Sequence, residues 1–581
     1  SAATAPTVSP SLVVMSPASL TSTSVGPDAM SGSSPGFHDR WAGNNGRRYR
    51  SSLPAGNLSA MSRPAPHVYD RLRDLVAIPE FRADPSSRPS AVITEVFTGE
   101  PLAEIPAGTA DDVTAAVERA RAAQVAWAER DVSDRVAVIT RFAKQIMRNR
   151  GELMDIVQAE TGKSRASAQE EVLDCLITAR HYARTAPGLL APKRVQGMLP
   201  GLTKAVVRRQ PKGVVGVIAP WNYPLNLAAT DALAALLAGN AVVIKPASIT
   251  PFCALAAADM LYRAGLPRDL FQVVPGSGGT VGGAIVENVD YLMFTGSTAT
   301  GRTLGRQCGE RLIGFSAELG GKNAMIVTEG ADLDEVAEVA TRAFFSNSGQ
   351  LCISVERVYV ERSVAPQLIE KLTARVQSMS VGPGYDFEAE MGSLISRDQL
   401  DTVSAHVDDA VAKGARVLAG GRARPDLGPL FYEPTLLTDV PSSATCYGDE
   451  TFGPVVSIYP VDSVEEAIAE ANDTEYGLNS SVFAGSDSEG EQIAARLRTG
   501  TVNVGEGYVA GWGSVAGPMG GMGASGVGRR HGDEGLLKYT EAQTIATQRV
   551  VHMGGPSFLP RTRWQQLLAP ATDAMRFLPG R

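Results

Sequence analysis

Between Val214 and Phe294 short apolar runs alternate with helical segments, and this alternation limits the fold more than any other feature of the chain. The runs Val214–Ile218, Ala241–Ile244, Leu270–Val274 and Tyr291–Phe294 are separated by helices expected over Leu227–Leu237, over Ala254–Ala264 and from Gly279. Strands that alternate with helices build a parallel, doubly wound sheet. Upstream, Asp111–Arg130 carries apolar residues at helical spacing behind an Asp N-cap, and further helices follow through Arg184. A second α/β series runs from Ala324 to Val504, and no internal repeat is visible.

At 581 residues the chain exceeds one ordinary core, and 44 % hydrophobic against 20 % charged residues is globular composition. The net charge of -8, without a basic run, argues against nucleic acid and against an anionic membrane surface as partners. Five cysteines, Cys175, Cys253, Cys308, Cys352 and Cys446, stand far apart with no CxxC pair. That is neither a disulfide framework nor a zinc site, so no metal is expected; it suits reduced thiols in a cytoplasmic protein. The most apolar window, Leu225–Ile244, is interrupted by Asn226, Asp231 and Asn240 and reads as buried core rather than a membrane span. No secretory leader is expected, because the first basic residue is Arg40. Residues 1–65, rich in Ser, Pro, Ala and Gly, are expected to be a disordered extension, and Met61 is a candidate start of translation.

In an open parallel sheet, ligands bind at the carboxyl ends of the strands. Lys245 ends one such run, in NAVVIKPAS, where its ammonium could meet a ribose or phosphate; taken alone, a lysine snorkelling from a strand end explains it better. Phe294-Thr295-Gly296-Ser297 joins another run to a helix opening at Thr298, and a helix N-terminus offers free N–H donors to a pyrophosphate. PGSGGTVGG, with Gly278 and Gly282, is a third glycine-rich turn of the same kind. Each is weak by itself, and no GxGxxG with a downstream acid is present. Three on consecutive strands point to a dinucleotide.

SNSGQLCIS places Cys352 after a small polar loop. A lone cysteine is most often an inert buried thiol. Glu318 closes the apolar run of FSAELGGKN and is either a surface acid or a general base. Asn222 lies in PWNYP, where a fixed carboxamide can donate to a developing oxyanion. No histidine accompanies the cysteine in sequence, which speaks against a Cys-His protease.

With PWNYP, KPAS, FTGSTATG, ELGGKN, GQLC, ETFGPV and PMGGMGASGVGR in that order, the chain resembles the aldehyde dehydrogenase superfamily over roughly residues 90–550. Glu318 precedes Cys352 by the 34 positions that the family requires. The stretches FSAELGGKN, GQLCISVERVYV and APMGGMGASGVGRRHG resemble the NADP-dependent succinate-semialdehyde dehydrogenases, type 2, of mycobacteria and relatives. The resemblance implies an α/β fold with a doubly wound cofactor domain (66–192 and 212–319), a catalytic domain (320–539), a β-arm (193–211 and 540–552) and a tail (553–581). It implies Cys352 as nucleophile, Asn222 with the Cys352 N–H as oxyanion donors, and Glu318 as the base that activates water. Lys245 and Glu450 would hold the two riboses, Gly296 and Ser297 the pyrophosphate path, and Trp221 and Phe452 would lie on the cofactor side. Ser248 stands where NAD-preferring members often carry a glutamate, which favours NADP with NAD possible. The segments Ala205–Gln210 and Thr544–Val551 fit the arm of a homodimer or homotetramer.

Oxidisers of succinic semialdehyde resemble one another in an arginine six positions before the nucleophile, here Ser346, and in a second on the tunnel helix, here near Pro187, with Arg180 and Arg184 close by but in a different register. Succinic semialdehyde is the expected substrate, with an uncharged aliphatic or aromatic aldehyde as the alternative. Tyr508 and Trp512 are candidate lining of the tunnel. Ile353 and Ser354 follow the nucleophile, so no regulatory disulfide with an adjacent cysteine is expected.

Overall fold

Apolar runs with no polar face must be covered on both sides, and the chain meets this with helices laid over a parallel sheet. The computed structural model describes residues 64–197, 203–549, 552 and 554–575. In it Val214–Ile218, Ala241–Lys245, Phe271–Val273, Tyr291–Thr295 and Gly314–Glu318 run parallel, and Gly526–Val527 closes one edge antiparallel. The first four strands are buried at every residue, as is the covering helix Pro224–Leu237. From Val214–Ile218 the chain steps to one side through Ala241–Lys245 and Phe271–Val273, then returns to the other side at Tyr291–Thr295. The order therefore reverses between Val214–Ile218 and Tyr291–Thr295, and a crevice opens at their carboxyl ends.

A seven-stranded sheet follows, in the order Arg416–Ala419, Thr435–Thr438, Val455–Val461, Val355–Glu361, Asn323–Val327, Asn479–Phe483 and Thr501–Val504. It is parallel except at its first strand. Thr540–Gln548, Thr203–Pro211 and Lys193–Val195 form a separate antiparallel sheet, and Thr540–Gln548 is exposed from Glu541 onward.

Several local expectations need correction. The helix expected behind an Asp cap starts at Ala110 and is capped by Thr109, whose hydroxyl accepts from the Asp112 N–H while the Asp112 carboxylate accepts from the Thr109 N–H. The turn at Gly279 is a π-turn, Gly278–Gly282, leading into the helix Gly283–Asn288. The strand expected from Leu270 begins at Phe271, because Leu270 ends a short 3-10 turn. The extension expected over residues 1–65, with Met61, lies outside the described residues apart from Pro64 and Ala65. Of the tail, Arg561–Met575 is helical.

Candidate active site

The crevice at the reversal point is lined by Trp221 and Asn222 from one strand end, by Gly296 and Ser297 from the other, and by Glu318, Cys352, Glu450 and Phe452. Its volume is about 240 Å³. Eight residues scattered from position 221 to 452 thus share one cleft. Lys245 ends the neighbouring strand, buried, its ammonium donating to the Pro246 carbonyl at 2.8 Å; burial lowers its pKa to about 8. Among the described residues it has no carboxylate partner. A Cβ on Gly282 would lie 3.7 Å from the Lys245 side chain, so the π-turn packs beside it, while around Gly278 the space is open. Ser248 is exposed and donates to the Gly276 carbonyl at 3.0 Å. Ser297 caps the helix Thr298–Arg311, whose first N–H groups face the cleft. A helix N-terminus and the Glu450 carboxyl share this crevice, and Lys245 ends the adjoining strand.

The loop before the cysteine is held under strain. Asn347, Ser348 and Gly349 have φ of 51°, 56° and 73°, and a Cβ on Gly349 would run into the Gly453 carbonyl. Among the described residues six non-glycine residues have positive φ, and four of them, Asn347, Ser348, Phe452 and His531, belong to the cysteine loop, the Glu450 turn and the wall of the chamber beside Cys352; strain concentrated in this way is a mark of functional sites. The Asn347 carboxamide donates to the Asn222 and Gln350 carbonyls, both at 3.0 Å, tying the two loops together. The Asn222 carboxamide donates to the Gln350 carbonyl at 3.2 Å, a long bond that leaves its second N–H free of it. Behind Asn222, the buried Lys163 bonds its carbonyl at 2.6 Å and pairs with Glu171 at 2.7 Å. On the far wall Glu356 accepts from the Thr451 and Phe452 N–H groups at 3.0 Å and pairs with Lys322, so the turn carrying Glu450 and Phe452 is pinned. Phe452 meets Trp221 edge to face at 5.5 Å.

All five cysteines are free; Cys352 is half-buried and the other four are fully buried. Burial of its sulfur, and next the Glu318 charge, push the thiol up to about 12, with Arg530 pulling the other way. Cys352 is therefore a thiol at neutral pH until a base takes its proton. Burial also raises Glu318, to about 7, against the opposing pull of Arg530 and Lys538, which places a carboxyl able to accept a proton near neutrality in the same cleft. Glu450 is raised to about 8 by burial and accepts from the Gly321 N–H at 2.9 Å.

On its other side Cys352 faces a narrow inner chamber lined by Asn222, Tyr223, Tyr508, Trp512, Arg530 and His531, so both aromatic residues expected in the tunnel are there. The sequence reading missed Arg530, which pairs with Asp231 at 2.7 Å and donates to the Thr295 hydroxyl at 3.1 Å. It also missed His531, which burial keeps well below its ordinary pKa and hence neutral, a poor proton acceptor for a thiol. The register expected for the tunnel helix is wrong. The helix Arg165–Leu190 turns Glu170 and Asp174 to the chamber, whereas Arg180, Arg184 and Pro187, one stripe at helical spacing, are exposed on another face. Ser346 is buried and bonded to the Tyr508 hydroxyl at 2.8 Å.

Residues 82–545 match the model of the "Aldehyde dehydrogenase family". A Mycolicibacterium smegmatis protein provisionally named succinate-semialdehyde dehydrogenase [NADP(+)] is 63 % identical over 520 residues, 89 % of this chain and 100 % of the relative. The succinate-semialdehyde dehydrogenase [NADP(+)] of Escherichia coli is 36 % identical over 77 % of this chain and 92 % of its own. Among solved structures, an aldehyde dehydrogenase from Bacillus cereus in complex with NAD+ superposes with a TM-score of 0.76 at 34 % identity, covering 79 % of this chain and 93 % of its own.

Proposed function

The chain belongs to the aldehyde dehydrogenase family, and on that premise we propose that it oxidises succinic semialdehyde to succinate with NADP through covalent catalysis at Cys352. The observation that carries the mechanism is the meeting of Cys352, Glu318 and Asn222 in one cleft at the reversal point of a doubly wound sheet. The substrate and cofactor rest on the names of the relatives at 63 % and 36 % identity and, for NADP, on Ser248. A glutamate there would repel a 2′-phosphate; a serine hydroxyl can donate to it.

Lys245, Ser248 and the π-turn Gly278–Gly282 are the residues to hold the adenosine end, Gly296 and Ser297 the pyrophosphate, and Glu450 with Trp221 and Phe452 the nicotinamide end. Bound there, the cofactor supplies a hydride acceptor. Cys352 passes its proton to water, and the thiolate adds to the aldehyde carbon to give a thiohemiacetal. Its oxyanion is held by the Asn222 carboxamide and the Cys352 N–H, each donor being worth roughly 3–4 kcal/mol of barrier. After hydride loss the carbon is a thioester of Cys352. Glu318 deprotonates water, which attacks the acyl carbon, and the acid leaves as the thiolate is regenerated.

An uncharged aldehyde is the second reading, favoured by Ser346 and by the outward-facing Arg180 and Arg184. A cytoplasmic setting, which keeps five free cysteines reduced, belongs to the same proposal. Formation of reduced cofactor from succinic semialdehyde, propanal, hexanal and benzaldehyde, each with NADP and with NAD, tests the reading. The best kcat/KM is expected for succinic semialdehyde with NADP, and a preference for an uncharged aldehyde refutes the substrate.

A further inference from the structure

Two cavities meet at one side chain. The inner chamber of Cys352, Tyr508 and Trp512 is joined, through Glu170, to an outer vestibule of about 380 Å³ whose wall includes Ser167, Arg342, Ser346 and Glu506. Glu170 lines both. The Tyr508 hydroxyl donates to Glu170 Oε2 at 2.9 Å, and Ser346 Oγ, 2.8 Å from that hydroxyl, can donate to it in turn. The other Glu170 oxygen is 3.5 Å from Arg342 Nε. A carboxylate of the protein itself thus sits between a guanidinium and a pair of linked hydroxyls at the neck of the substrate path.

Arg342 lies one helical turn before Ser346, at the end of the helix Leu333–Phe345, and lines the same vestibule wall. Its guanidinium is exposed, and Nη1 and Nη2 make no hydrogen bond among the described residues. Those two groups form the planar fork that fits a carboxylate with two parallel hydrogen bonds.

Taking succinic semialdehyde as substrate, we propose that Arg342, with the hydroxyls of Ser346 and Tyr508, binds the carboxylate remote from the aldehyde, and that Glu170 is a resident competitor for that place. The cation that carboxylate-bearing aldehydes need is then supplied one turn earlier on the same helix, so Ser346 costs the site an arginine at its own position and no charge at the neck. Glu170 sharpens selection, because only an anion that gains from all three donors displaces its contact with Arg342. Arg342 and Glu170 are specificity residues; neither touches the reacting carbon.

The experiment compares succinic semialdehyde, glutaric semialdehyde and butanal in the wild type, Arg342→Gln and Glu170→Gln. Arg342→Gln is expected to raise KM for the acidic aldehydes about tenfold or more, with kcat nearly unchanged and butanal unaffected. Arg342 is exposed, so the fold should tolerate the change. Glu170→Gln is expected to lower KM for the acidic aldehydes. Equal effects of Arg342→Gln on acidic and neutral substrates, or a rise in KM with Glu170→Gln, overturn the assignment. A wild type that prefers glutaric semialdehyde, with the Arg342→Gln loss intact, removes only the four-carbon reading and leaves the anion site standing. A preference for butanal with no effect of Arg342→Gln removes both.

Discussion

Burial sets the chemistry of individual side chains here more than charge does. It raises Glu318 to about 7, which poises the base that activates water near neutrality, and Cys352 to about 12, so the resting nucleophile is a thiol. Because Glu318 must be ionised to accept a proton, and burial shifts it upward, turnover should rise as pH increases through about 7 and level off above it. Glu318→Gln should remove that limb; an unchanged pH profile contradicts the assignment. Asn222→Ala, which deletes an oxyanion donor, should lower kcat by roughly 10²–10³ with a smaller change in KM. Ser248→Glu should move the cofactor preference from NADP towards NAD, and an unchanged ratio refutes the role of Ser248. Lys245, Gly296 and Glu318 were legible in the sequence because each follows an apolar run, whereas Cys352 and Glu450 were legible only through the order of the motifs. Arg530 was not legible from its own surroundings. Its signal was Asp231, a lone acid in the otherwise apolar helix Pro224–Leu237, since a buried carboxylate demands a partner.

Among the elements, the parallel strands could be read almost to the residue, because strands covered on both faces are continuous apolar runs. Caps and register could not. Thr109 competed with nearby acids for the N-cap, and only the reciprocal bonds with Asp112 decide between them. The tunnel face of Arg165–Leu190 was misread because its inward residues, Glu170, Glu171 and Asp174, are acids that resemble a solvated face. The strained loop Asn347–Gly349 aims Cys352 at the junction of two cavities. Gly349→Ala would add a Cβ against the Gly453 carbonyl at a φ of 73°, a backbone cost of roughly 1–3 kcal/mol before any clash. The variant should melt several degrees lower and lose activity; a wild-type melting temperature with full turnover contradicts this view of the loop.

In the whole molecule, the six-stranded sheet provides the crevice and the seven-stranded sheet brings the cysteine loop and the Glu450 turn onto it. The antiparallel sheet Thr540–Gln548, Thr203–Pro211, Lys193–Val195 presents an exposed outer strand with Ile545 at 42 % exposure. An open strand edge invites pairing, so we expect a homodimer or homotetramer built through this sheet. Ile545→Asp should shift light-scattering mass towards the 61.1 kDa chain, and a mass unchanged from the wild type places the interface elsewhere. No described helix is long and apolar enough to cross a membrane. The central claim, covalent oxidation at Cys352 with hydrolysis by Glu318, is tested most directly by mass spectrometry of Glu318→Gln mixed with NADP and succinic semialdehyde. A burst of reduced cofactor, one equivalent per chain, with a succinyl adduct on Cys352 and little further turnover is the expected result. Steady turnover at the wild-type rate, or an adduct on another residue, contradicts it.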